Sequence, residues 1–235
     1  MDVESLQAKG MYSEKSKNEL LELLDQHRML TFESQLELNT AFEKRCIAVN
    51  KSGLEATIAQ KLEEIKNLDY LTDFGFSAQF KEDGIVVTRT TKALLTDSIS
   101  VIVGLLVFLT GIYGIASLVS MFMNGNEINV FSLAINVALA SLVGTGFIFF
   151  NGLKRLFDYA GFSLSNRDGA ITMKKRFDLR LEEIREDASQ LFLETENGEL
   201  IVRLRERRVF SSNAENLIQK MTMEQLLKTL GKNQE

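Results

Sequence analysis

ISVIVGLLVFLTGIYGIASLVSMFM fills residues 99–123 and VFSLAINVALASLVGTGFIFF fills residues 130–150, with only NGNEIN, residues 124–129, between them. Neither run holds a charged side chain. At about 1.5 Å of rise per residue, each run as a helix is long enough to cross a hydrocarbon core of roughly 30 Å, and a six-residue link forces an antiparallel return. The stretch therefore predicts a transmembrane helical hairpin over 98–151. A soluble hairpin of this length would interrupt its apolar residues with a polar face, whereas the polar residues here are Asn136, Thr110, Thr145 and scattered serines.

The flanks predict the orientation. Arg89 and Lys92 precede the first run, Lys154 and Arg155 follow the second, and the loop carries Glu127 without Lys or Arg. Basic residues near a span stay on the cytoplasmic side, so both termini are expected in the cytoplasm of a bacterial inner membrane. The first apolar run starts about a hundred residues in and has no charged leader or small-residue cleavage site, so it is not read as a signal peptide.

The hairpin splits the 235 residues, of net charge −5, into two modest flanking parts, each able to hold a small core or to combine into one. A single cysteine, Cys46, excludes an internal disulfide framework and is expected as a small apolar filler near a helix end. Proline and tryptophan are absent.

Before the hairpin, residues 1–71 read as an N-terminal cytoplasmic helical segment. Leu20, Leu21, Leu23 and Leu24 stripe a first helix capped by Ser13 or Ser16, a second runs over about 32–46, and Leu54, Ile58, Leu62 and Ile65 recur at three and four in a third. The period then falls to two. Phe74, Phe76, Ala78 and Phe80, a turn at 82–84, and β-branched residues to Thr91 predict a β-hairpin within 72–92. After the second run, residues 160–235 read as a small antiparallel β-domain closed by a C-terminal helix. Its strands fall at 162–165 and 170–179, then at 191–195 and 200–204 about an Asn197-Gly198 turn, and its helix runs from Ser211 or Ser212 to about Leu230. The sequence leaves open whether 74–91 joins the later sheet.

The order strand, turn, strand, Leu181-Glu182-Glu183-Ile184-Arg185, an Asn-Gly hairpin and then Arg208-Val209-Phe210-Ser211-Ser212 opening a helix resembles the bacterial pleckstrin-homology-like membrane proteins of the YcxB-like kind, mainly over residues 162–230. The aromatic residue common before the Ile segment is Leu181 here, the proline of the basic-Phe phrase is missing, and the three N-terminal helices lie outside that pattern. The resemblance implies a bent β-sandwich or open barrel plugged by the terminal helix.

Catalytic chemistry is poorly supplied. The only histidine, His27, ends a helix and has no partner set with Cys46, so it reads as a cap; Glu182, Glu183, Glu186 and Asp187 read as a charged turn. No phosphate loop occurs outside the apolar runs. The chain is read as a non-enzyme without metal or cofactor, and its acidity and lack of interleaved aromatics argue against nucleic acid. Lys174, Lys175 and Arg176 on one strand, with Arg203 and Arg205 sharing a face of another, are the candidate contacts to anionic lipid; cross-strand pairing of Arg203 with Glu194 and Glu196 is the competing reading. Inside the hairpin, Gly104, Gly111 and Gly114 mark one side of the first helix, and Ser132, Asn136, Ala140 and Gly144 recur every four residues on the second, a spacing that lets helices approach closely. The expected function is a non-catalytic membrane-anchored interaction or scaffolding module whose partners are membrane lipids and a protein partner or a second copy. The alternatives are an oligomeric channel or transporter subunit lined by the Asn136 face and an accessory subunit to a separate enzyme.

Overall fold

The computed structural model describes residues 12, 14–82, 84–123, 129–167, 169–177 and 180–231, with backbone alone at 148–151. Glu127 and the rest of 124–128, the candidate cap Ser13, the turn residues Asp83 and Asp168, and the strand end 178–179 lie outside them. In chain order the elements are α1 (Lys17–Asp25), α2 (Phe32–Lys44), α3 (Ser52–Lys66), β1 (Phe76–Lys81), β2 (Gly84–Arg89), α4 (Thr91–Met123), α5 (Val130–Tyr159), β3 (Ser163–Arg167), β4 (Ala170–Phe177), β5 (Arg180–Asp187), β6 (Leu191–Glu196), β7 (Glu199–Leu204), β8 (Arg207–Asn213) and α6 (Leu217–Gly231). The class is α+β with two antiparallel sheets, β1-β2-β3-β4-β5 and β6-β7-β8. Two compact units divide the chain: Met1–Phe74 with Ala188–Glu235, and Gly75–Asp187.

In the first unit, α1 starts on a capping box. The Ser16 side chain accepts from Glu19 N at 3.3 Å, and Ser16 N donates to Glu19 Oε2 at 2.7 Å, satisfying two backbone donors that a helix start otherwise leaves bare. Thr31 caps α2 by a single bond, its hydroxyl accepting from Ser34 N at 3.2 Å. The apolar stripes of these helices meet in one core of Leu20, Leu38, Phe42, Leu54, Ile58 and Ile65, which Met221 of α6 joins. Asn197 and Gly198 both take positive φ, 51° and 78°, the tight turn that the right-handed twist of β6 and β7 favours.

Three expectations change here. Residues 160–235 are not one β-domain, because β3 to β5 belong to the second unit while β6 to β8 and α6 pack with the N-terminal helices. Arg207–Asn213 is a strand rather than the opening of the terminal helix: its backbone pairs with β7 from Leu204↔Arg207 to Glu199↔Asn213, so the helix starts only at Leu217. Cys46 is exposed, at φ 49°, in the left-handed turn that ends α2, so it fills no apolar site.

In the second unit, β1 and β2 join the later strands, Val86 facing Ser165 and Thr88 facing Ser163. The acidic run 182–187 is strand β5, not a turn, paired along its length with β4 through Lys174↔Glu183 and Met173↔Ile184. From this sheet rise α4 and α5, 33 and 30 residues long, both long and apolar enough to cross a membrane. They run antiparallel along a seam of small residues. A Cβ on Gly111 would lie 2.5 Å from Val143 N, one on Gly114 2.6 Å from Ala140 N, and one on Gly146 2.8 Å from the Phe108 backbone. Away from the seam the pair is apolar and open, with Ile102, Leu106, Leu109, Phe131 and Phe147 all exposed. A core helix of a soluble domain would cover such side chains.

Candidate functional site

Asp97 is buried on the same helix stripe as Gly104 and Gly111, at intervals of seven. Its side chain is 3% exposed, and a carboxylate in that position carries a large desolvation cost unless it is paired. Two arginines from other elements supply the pairing. Arg89, the last residue of β2, donates from Nη2 to Oδ2 at 2.6 Å, and Arg155 of α5 donates from Nε to Oδ1 at 3.1 Å. One carboxylate thus ties the sheet to both apolar helices.

Arg89 is itself buried, and aromatic rings hold its charge. Its guanidinium carbon stands 5.0 Å from the Phe76 ring centre and 5.3 Å from that of Tyr159. Phe76, Tyr159 and Phe162 meet edge to face with centroids 5.2–5.5 Å apart. Gly75, at φ 78°, lies so close that a Cβ would be 2.6 Å from Arg89 Nη1, so a larger residue there would displace the guanidinium. Both carboxylate oxygens of Asp97 accept from guanidinium donors. The arrangement is that of a clasp, with the Arg155 side chain 59% exposed on its outer side.

The lysines and arginines singled out from sequence separate onto different faces and different units. Side chains alternate along a strand, so Lys174 and Arg176 share one face of β4 while Lys175 turns to the other with Ile171 and Met173. Lys175 is buried, its Nζ 4.6 Å from the Tyr159 ring centre, and is therefore no lipid contact. Lys174 pairs with Glu183 at 3.1 Å, and Arg176 Nε donates to the Ala160 carbonyl at 3.3 Å. In the other unit Arg203 bonds Glu194 at 2.5 Å and Glu196 at 3.1 Å. Arg205 does not share its face, because Arg205, at φ 56°, sits in the turn between β7 and β8.

On the helix pair, Gly104, Gly111, Gly114 and Asn136 are buried, Ser132 and Ala140 half-buried. Gly144 is exposed with nothing within 4 Å of a built Cβ, so it leaves the packing stripe; Gly146 is the close-contact glycine instead. A four-residue repeat drifts around a helix of 3.6 residues per turn, which is why the register fails by its fourth member. Sequence reasoning passed over Asp97 and the aromatic trio. The signal for Asp97 was its spacing of seven from Gly104 and of fourteen from Gly111.

The first unit holds a cleft of about 440 Å³ lined by residues that include Phe32, Lys61, Glu215 and Leu217. Lys61 is already engaged there, with Gln35 Oε1 at 2.9 Å. His27 donates from Nδ1 to the Leu24 carbonyl at 2.8 Å, closing the end of α1. Among the described residues no three His, Cys, Asp or Glu side chains converge as a metal group. Nearby, the Tyr70 hydroxyl donates to Glu64 Oε2 at 2.6 Å and Gln60 to Oε1 at 2.8 Å, and these bonds hold the Glu64 carboxyl below its usual range. A carboxylate lowered on folding stabilises above its unfolded pKa of about 4.3, and that gain is lost as pH falls through the folded value. Tyr70→Phe is expected to reduce the difference in urea midpoint between pH 7 and pH 4, at a cost of about 1 kcal/mol at neutral pH. An unchanged difference would remove Glu64 as its source.

No protein-family model, curated protein or solved structure matches this chain.

Proposed function

We propose that the chain is an integral membrane protein whose α4–α5 pair anchors a non-catalytic interaction module, with both termini on the cytoplasmic side of a bacterial inner membrane. The observation that carries this reading is the apolar pair itself: two helices of 33 and 30 residues with open apolar sides, clasped at one end to a sheet through Asp97. An anchor clasped to its sheet transmits position, which is what a scaffold requires. Asn136 is buried on the stripe of α5 that carries Ala140 and Gly146, which favours helix packing over the lining of a pore.

Cys46, the single cysteine and exposed, supplies the test of orientation. In intact spheroplasts it should react with a membrane-permeant maleimide and be spared by an impermeant one; equal reaction with both reagents would reverse the topology. The mass of the chain in nanodiscs, corrected for lipid and belt protein, separates the two uses of the hairpin. A monomer or dimer fits a scaffold, whereas a discrete assembly of four or more copies would return the Asn136 face to consideration as a channel.

A further inference from the structure

We infer that Arg155, with its chain neighbour Lys154, forms a binding site for the phosphate headgroup of an anionic phospholipid at the clasped end of the helix pair; the inference rests on the membrane reading above and names the lipid class. Four of the five basic residues named from the sequence for lipid contact are engaged elsewhere: Lys175 against Tyr159, Lys174 on Glu183, Arg176 on the Ala160 carbonyl and Arg203 on two glutamates. Arg155 is engaged only in part. It gives Asp97 its Nε, at 3.1 Å, while its two Nη groups donate to no described residue and its side chain is 59% exposed. A guanidinium presents five donors in a planar fork, so one edge can hold a carboxylate while the others reach a phosphate.

Depth supports the same assignment. Arg155 lies five residues past the apolar run that ends at Phe150, and Asp97 two residues before the run that starts at Ile99. At 1.5 Å per residue both fall within about 8 Å of the hydrocarbon edge, where headgroup phosphates lie. Lys154 is exposed and makes no ion pair with a described residue. Asp97 is shared by both arginines, and Asp158, half-buried one turn after Lys154, forms no ion pair with Lys154 or Arg155. Exposed Leu95, Ile99 and Phe157 border the same level and offer acyl chains a surface.

The test uses the full chain in a mild detergent, with native mass spectrometry of adducts formed on adding phosphatidylglycerol, phosphatidylcholine or inorganic phosphate. Phosphatidylglycerol adducts should outnumber phosphatidylcholine adducts. Lys154→Gln, which disturbs no pair, and Arg155→Gln should each lower that preference about five-fold, the equivalent of about 1 kcal/mol per cation at an anionic surface. Thermal unfolding of each variant separates lost binding from lost fold. Equal uptake of the two lipids, or a preference that survives both substitutions, overturns the site while leaving the membrane reading in place. Displacement of phosphatidylglycerol by millimolar inorganic phosphate overturns the lipid as the source of the headgroup. A chain that stays monodisperse without detergent and takes up neither lipid overturns the membrane reading as well.

Discussion

Asp97→Asn should destabilise the Gly75–Asp187 unit by about 3 kcal/mol or more, the range found when one partner of a buried ion pair is removed and the other is left charged. The charge left behind is that of Arg89, whose side chain is 6% exposed and cannot reach water without leaving the Phe76 and Tyr159 rings. The three clasp residues should therefore rank by burial. Arg89→Gln should cost nearly as much as Asp97→Asn because it strands the carboxylate, while Arg155→Gln, at an exposed position, should cost about 1 kcal/mol. Thermal unfolding in nanodiscs followed by circular dichroism measures the order. Equal small losses for all three would show that the clasp is hydrated and contributes little.

The second large effect lies along the glycine seam. Gly111→Leu should push α4 and α5 apart, because even its Cβ would approach Val143 N to 2.5 Å, a backbone atom that cannot rotate away. Overpacking of this kind costs about 1–3 kcal/mol, and here the lost contacts along the helix pair add to it. Gly144→Ala should behave in the opposite sense. Its Cβ would enter open space, so the substitution should stabilise α5 by up to about 1 kcal/mol through helix propensity alone. Hairpin resistance to protease and unfolding midpoints in detergent compare the two; equal behaviour of positions 111 and 144 would mean that the seam does not follow these contacts.

The sequence by itself determined the elements whose signals are local. Two uncharged runs of 25 and 21 residues joined by six can only return on each other, the three-and-four spacing of Leu54, Ile58, Leu62 and Ile65 is a helix stripe, and Asn197-Gly198 can adopt the positive φ values a tight hairpin needs. Such signals reside within a few residues and survive any tertiary arrangement. What the tertiary structure decided were partnerships across long separations. Strand β2 finds β3 over some 75 residues, the C-terminal helix joins a core made by the N-terminal helices, and Arg89, Asp97 and Arg155 converge from three elements. Composition even misled at these points, since Lys174-Lys175-Arg176 reads as one basic patch until the strand's pleat sends the middle residue to the opposite face. Where a charged side chain goes depends on what the rest of the chain brings to meet it, and for Asp97 that meeting fastens an apolar helix pair to its sheet.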